Sequence, residues 1–161
     1  LLNGTSNKIA GLSGVEQVVT AKATTAITSD ELIKLQDTVK DAFQQDAIWI
    51  MSSDTRTAIR LLKDDVGRYL LQDDINAPFG KVLLGKPVYV SDNMPEMDTG
   101  KTPIYYGDMS GLAVKMAEEL EIQVLRERFA TQHADGVVGW VEMDAKVENA
   151  QKIAKLTMAS A

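Results

Sequence analysis

The period of the hydrophobic pattern changes at residue 82, and that change restricts the folds open to this chain more than any motif in it. Before it, the strongest signal is helical. TSDELIKLQDTVKDAF sets Thr28 three residues before Glu31, the spacing of a capping box. Leu32, Leu35, Val39, Ala42 and Phe43 then share one face, with Lys34, Asp37, Lys40 and Asp41 on the other. The apolar run AIWIM (47–51) reads as a buried strand. Ser52 and Ser53 offer an N-cap for a second helix, roughly Asp54 to Lys63, with Ala58, Ile59, Leu61 and Leu62 as its apolar side and Gly67 just past its end. From residue 82 the segments KPVYVSD, PIYYGD, LAVKM and IQVLRE are β-rich, separated by the turn signals SDNMPEMDTG, GDMSG and AEELE. GVVGWVEMDAKVE (136–148) alternates over a long reach, and KIAKLTM supplies a last strand. The expected class is α+β: a mixed β-sheet flanked by helices, with one long-stranded segment and no internal repeat.

Length and composition fit one domain with a real core: 161 residues, 45% of them hydrophobic. No apolar run approaches the ~18 residues of a membrane span. The chain has no cysteine, which excludes disulfides and thiolate chemistry, and its formal charge of −6 argues against a general polyanion binder. It opens at Leu1 without methionine, and LLNGTSNKIAGLSG reads as the interior of a longer protein. Residues 1–27, rich in Gly, Ser, Thr, Asn and Ala, read as an opening loop with one weak strand.

The one stretch with an enzymatic look is GKVLLGKPV, whose Gly80, Gly85 and Lys86 have the G-x-x-x-x-G-K spacing of a phosphate-binding loop. That loop works because small residues let consecutive backbone N–H groups turn toward phosphate oxygens at the start of a helix. Here Lys81, Val82, Leu83 and Leu84 fill the interval. Pro87 replaces the hydroxyl residue that holds magnesium, and it biases Lys86 toward an extended conformation. A strand start held by Gly and Pro is the better reading. His133, the only histidine, sits in the polar ATQHADG with Asp135 two residues on, the pattern of a surface histidine. Asp64, Asp65, Asp73 and Asp74 lack calcium-loop spacing and read as a solvated loop running through Pro78. Glu118, Glu119 and Glu121 read as an acidic turn, and Trp49 and Trp140 as core or interface. No catalytic, cofactor-binding or metal-binding residue is assigned.

Several segments, taken in order, resemble the major capsid proteins of tailed bacteriophages, the Hong Kong 97-type fold. LNGTSNKIAGLSG is similar to their Gly-rich opening segment, and AIWIMSSDTRTAIRLLKDDVGRYLLQ to their strand, helix and "D-x-x-Gryl" stretch. LLGKPVYVSDNMP resembles their "llGkPVv" strand, IYYGDMSG their "fGDfs", and VLRERFATQHADGVVGWVEMDAKVENAQKIAKL their closing part.

The resemblance implies a structural subunit, without enzymatic activity, of an icosahedral shell of pentamers and hexamers around double-stranded DNA. It places 1–27 partly in the peripheral (P) domain, 28–126 in the axial (A) domain, 127–148 in a P-domain strand segment and 149–161 in a strand returning to the A domain. The family's N-terminal arm, E-loop and spine helix would lie upstream, and the Asp64–Pro78 excursion near the capsomer's symmetry axis. Implied partners are copies of itself, with scaffold or protease, portal and decoration proteins. Packaged DNA would be touched only non-specifically, and no membrane is involved. The expected location is the virion, after assembly in the bacterial host cytoplasm. No cofactor is implied, and no crosslinking residue is assigned, Asn149 included. An encapsulin-type compartment shell shares the fold and is the close alternative; a nucleotide-binding enzyme using Gly80–Lys86 is the distant one.

Overall fold

The chain's central strands place side chains alternately into two separate cores, one on each face of a single mixed sheet. A computed structural model describes residues 10–63, 71–73, 81–125 and 135–160. Nine strands fall in them: β1 (Gln17–Thr20), β2 (Ile48–Met51), β3 (Leu71–Asp73), β4 (Lys81–Leu83), β5 (Lys86–Val90), β6 (Ile104–Gly107), β7 (Leu112–Leu125), β8 (Gly136–Val147) and β9 (Ile153–Thr157). Seven form one sheet in the order β1-β9-β6-β2-β5-β4-β3, and β7 and β8 form a separate two-stranded ribbon. Within the sheet β1–β9 and β2–β5 are parallel, and the other pairs are antiparallel.

Helices α1 (Ser29–Thr38) and α2 (Ser53–Arg60) accompany the first core. It gathers Leu32 and Leu35 of α1 and Ile59 of α2 with Trp49, Met51, Val88, Ile104, Tyr106, Ala154 and Leu156 of the strands. Trp49 and Tyr106 are register partners, their ring centroids 4.3 Å apart, and the Trp49 indole N–H donates to the Leu83 carbonyl at 3.0 Å. That bond spans from β2 across β5 to β4, so one side chain ties two strands that are not ladder neighbours. The second core takes the intervening residues, Tyr105 and Ile153, with Leu12, Val15 and Met94; Ile50, Met109, Leu112 and Val147 pack against it. Leu12 arrives on a 3-10 turn, Gly11–Gly14.

Both helices start where the sequence indicates. The Glu31 carboxylate accepts the Thr28 N–H at 2.9 Å and the Lys22 N–H at 2.7 Å, and the Ser52 hydroxyl accepts the Thr55 N–H at 3.2 Å. Both end earlier than their apolar periodicity indicates. At Val39 the backbone turns extended while the side chain stays fully buried. The Gln44 side-chain amide then donates to the carbonyls of Gln36 and Val39, satisfying groups that a longer helix would have used. Ala42 and Phe43 follow on a separate 3-10 turn, Asp41–Phe43. In α2 only Ile59 of the expected apolar side is buried; Leu61, past the last helical turn, is 67% exposed.

The excursion read between residues 64 and 81 contains sheet: Leu71–Asp73 pairs antiparallel with Lys81–Leu83. Its Asp64, Asp65, Asp74, Pro78 and Gly80 lie outside the described residues, as does Gly67.

Two glycines answer to different demands. Gly85 has φ +77° with open space around its Cα, so a side chain there is opposed only by the backbone conformation. Gly107, at the end of β6, has φ +143°, and an added Cβ would lie 2.1 Å from the Lys152 carbonyl oxygen. Gly85→Ala is expected to cost roughly 1–2 kcal/mol in chemical denaturation. Gly107→Ala is expected to cost roughly 3 kcal/mol or more, because strain and a backbone collision add.

Burial works to raise the Glu31 carboxyl, but the backbone N–H groups of Lys22 and Thr28 outweigh it and hold the pKa below its ordinary value. A depressed folded-state pKa contributes stability above the unfolded-state value, and that contribution is lost as pH falls through the folded one. Glu31→Gln should therefore lower stability at neutral pH and flatten its decline below about pH 4, as read from urea midpoints across that range.

Candidate assembly surface

The β7–β8 ribbon has the clearest separation of residue types in the molecule. Register pairs Leu112 with Val147, Val114 with Ala145, Met116 with Met143, Ile122 with Gly139 and Val124 with Val137. Partners in a ladder share a face, and with Val141 these positions make one side entirely apolar. The other side holds the pairs Ala113–Lys146, Lys115–Asp144, Glu121–Trp140 and Gln123–Val138. Near the base the apolar side is covered: Ala145 is buried, and Leu112 and Val147 extend the second core. Farther out it is open to solvent. Of the twelve large hydrophobics exposed among the described residues, seven lie on this face: Val114, Met116, Ile122, Val124, Val137, Val141 and Met143. A two-stranded ribbon is marginal by itself, and a contiguous exposed apolar patch marks a contact surface.

The acidic turn expected at Glu118, Glu119 and Glu121 does not interrupt the chain. β7 runs through it as one strand of 14 residues against 12 in β8. Between Met116 and Glu118, and again between Glu118 and Glu121, the register shifts, each time with one more residue on β7 than on β8. A single bulge reverses which face later residues occupy. Two bulges restore it, so Ile122 and Val124 rejoin the face of Val114 and Met116. The polar composition signalled a disturbance correctly, but sequence alone does not distinguish a double bulge from a turn.

Trp49 is fully buried, whereas Trp140 is 59% exposed on the charged face of the ribbon. The core reading therefore holds for the first tryptophan only, and Trp140 is a surface residue of this chain. Its alternating surroundings in GVVGWVEMD fix a strand but not what covers it.

At the base of the ribbon a polar cluster joins the two chain crossings. The Asp108 carboxylate accepts from the Ser110 N–H at 2.8 Å, the Ser110 hydroxyl at 2.6 Å and the Lys152 ammonium at 3.1 Å. Lys152 also donates to the Ser110 hydroxyl at 2.7 Å and lies 5.4 Å from the centroid of the Phe43 ring. Partial burial pushes the Asp108 carboxyl up, and the Ser110 and Lys152 bonds outweigh it, leaving its pKa lowered. These interactions are structural. Sequence reasoning read Asp108 and Ser110 only as part of the GDMSG turn and did not find the cluster, because Lys152 joins them from 42 to 44 positions away.

Among the described residues the remaining candidates do not come together. Lys81–Leu83 and Lys86–Val90 are antiparallel strands joined by Leu84 (φ +48°) and Gly85 (φ +77°), the positive-φ pair of a tight hairpin. A strand follows where a phosphate loop needs a helix N-terminus, and Pro87 is a ladder partner of Val82. The Lys86 ammonium donates to the Gln45 carbonyl at 3.1 Å. His133 lies outside the described residues, and Asp135 immediately precedes β8. The Asn149 side chain accepts the Gln151 N–H at 3.0 Å within the turn leading to β9. Among the described residues no group of three acidic or histidine side chains is placed to hold a metal ion.

This fold is similar to that of solved chains. The chain is similar to the capsid of an empty GTA particle computed with C5 symmetry, at 23% identity and TM-score 0.72, over 89% of this chain and 50% of that one. The capsid of a native GTA particle matches at 23% identity and TM-score 0.75, over 89% and 49%. A structure described as Gordonia phage Cozz matches at 16% identity and TM-score 0.64, over 100% and 54%. The class defined by the fold is therefore the capsid fold, and this chain spans about half the length of the solved chains it matches. The model of the Phage capsid family matches residues 1–158, and the chain belongs to that family. No curated protein matches it.

The outer apolar face is solvated in the single chain, so charging it should leave folding intact. Ile122→Lys combined with Val124→Lys is expected to shift the unfolding free energy by no more than about 0.5 kcal/mol per site. The same pair should clearly reduce binding of an apolar dye such as ANS.

Proposed function

We propose that this chain is part of a phage or prophage major capsid subunit, a structural protein that assembles with copies of itself. The observation that carries the reading is the ribbon: a two-stranded element with one apolar face, whose outer residues a lone molecule leaves in water. Such a surface fits a protein whose working state is an assembly, where heterologous contacts between copies close into rings. Family membership supports the same reading.

In this proposal the seven-stranded sheet with α1 and α2 is the axial part of the subunit, and the ribbon belongs to the peripheral part. The division is drawn, in this proposal, near residues 111 and 148, since β7 pairs with β8, whereas the resemblance drew it at 126. The Asp64–Pro78 excursion, expected near the capsomer's symmetry axis, lies mostly outside the described residues. The shell would enclose double-stranded DNA and touch it only non-specifically, consistent with a net charge of −6. Assembly in the cytoplasm of a bacterial host and contacts with scaffold or protease, portal and decoration proteins belong to the same proposal.

The test is electron microscopy of the protein expressed with its flanking coding sequence, where closed shells of uniform size are expected. The 161-residue chain alone should give only small species in light scattering. Failure of the longer protein to form closed particles, under conditions where it is folded and concentrated, would count against the reading.

A further inference from the structure

We infer that Lys152 is the positioning residue of a joint that fixes the direction of the ribbon relative to the sheet. The ribbon and the sheet share no strand pairing. The chain passes between them twice, outward after β6 through Asp108–Gly111 and back after β8 through Glu148–Lys152. The backbone links across these crossings are few: Gly111 O accepts the Glu148 N–H at 2.9 Å and the Asn149 N–H at 3.3 Å, and Lys152 O accepts the Asp108 N–H at 3.0 Å. The apolar contacts of Leu112 and Val147 with the second core hold the base down but are non-directional, so they tolerate a change of angle.

Lys152 supplies direction. It stands on the returning crossing, and its ammonium bonds the Asp108 carboxylate and the Ser110 hydroxyl of the outgoing one. It also faces the ring of Phe43, on the connection between α1 and β2. Three chain segments thus meet at one cation, which ties the outgoing crossing to the returning one and both to the α1–β2 connection. The side chains of Lys152 and Asp108 are 23% and 16% exposed, so the ion pair is partly shielded from water and salt. The Asp108 carboxylate is held in turn by the Ser110 N–H, which keeps the acceptor in place for the cation.

The joint is a property of the single chain. Only its consequence, a fixed angle between the two parts of a shell subunit, rests on the proposed function.

The chain has no cysteine, so two introduced thiols carry spin labels at chosen points only. Lys34→Cys on α1 and Val137→Cys on the outer ribbon are exposed sites away from the joint. Pulsed electron paramagnetic resonance on the labelled 161-residue chain is expected to give one narrow distance distribution. Lys152→Met, which keeps the stem and removes the charge, should widen it at least twofold, and Lys152→Arg should restore it. Circular dichroism should show the sheet intact in all three. If Lys152→Met does not fold, Asp108→Asn is read in the same way. A distribution equally narrow in the charge-removed variant, or equally wide in the parent, overturns the inference and leaves the shell reading standing.

Discussion

The structure depends on a sheet whose central strands are buried on both faces. Tyr105 and Tyr106 are adjacent in β6 and fall in different cores, as do Ile153 and Ala154 in β9. A strand with one solvated face would alternate apolar with polar residues. Here IYYG is buried at every position. Once both faces must be covered, the rest follows. The helices and the loops beside them close one side. On the other there is no helix among the described residues, and the cover consists of the Gly11–Gly14 turn and the base of the ribbon. The ribbon is thus an extension of the second core, anchored where it is dry and open where it is not.

Much of this was legible in the sequence because the signals were local. Thr28 with Glu31, and Ser52 before an amphipathic stretch, mark helix starts through hydrogen bonds that close within three residues. The strands IWIM, KPVYV, IYYG and IAKLT are short apolar runs between turn formers, and each is a strand of the sheet. Helix ends were less legible, because tertiary partners set them: Val39 leaves α1 to fill the core, and Gln44 satisfies the carbonyls left behind. The same limit applies to Trp140, since alternation specifies a strand but not which face meets water.

The phosphate-loop spacing shows why a motif needs its structural context. Gly85 and Lys86 occupy their places for hairpin geometry: a positive φ at the turn, then an extended residue before proline. In a two-residue hairpin, Leu83 and Lys86 form the closing hydrogen-bonded pair, so the next pair, Val82 with Pro87, needs no N–H from Pro87 toward β4. The proline that removes a magnesium ligand is therefore well suited to a strand start. The GDMSG turn announced Asp108 and Ser110 but not their partner Lys152, which reaches them only because the two crossings are brought side by side.

The paired bulges in β7 carry a consequence for how this ribbon can change over evolutionary time. Each inserted residue alone would turn every later side chain of the strand over, sending Ile122 and Val124 to the charged side and Glu121 and Gln123 to the apolar one. Only together do they leave the outer half of the surface in phase with the inner half. Between residues 117 and 120 the reading frame of the surface therefore has a parity. Lineages that lengthen or shorten this stretch should do so by even numbers of residues, or accept a single-residue change only beside a second that cancels it.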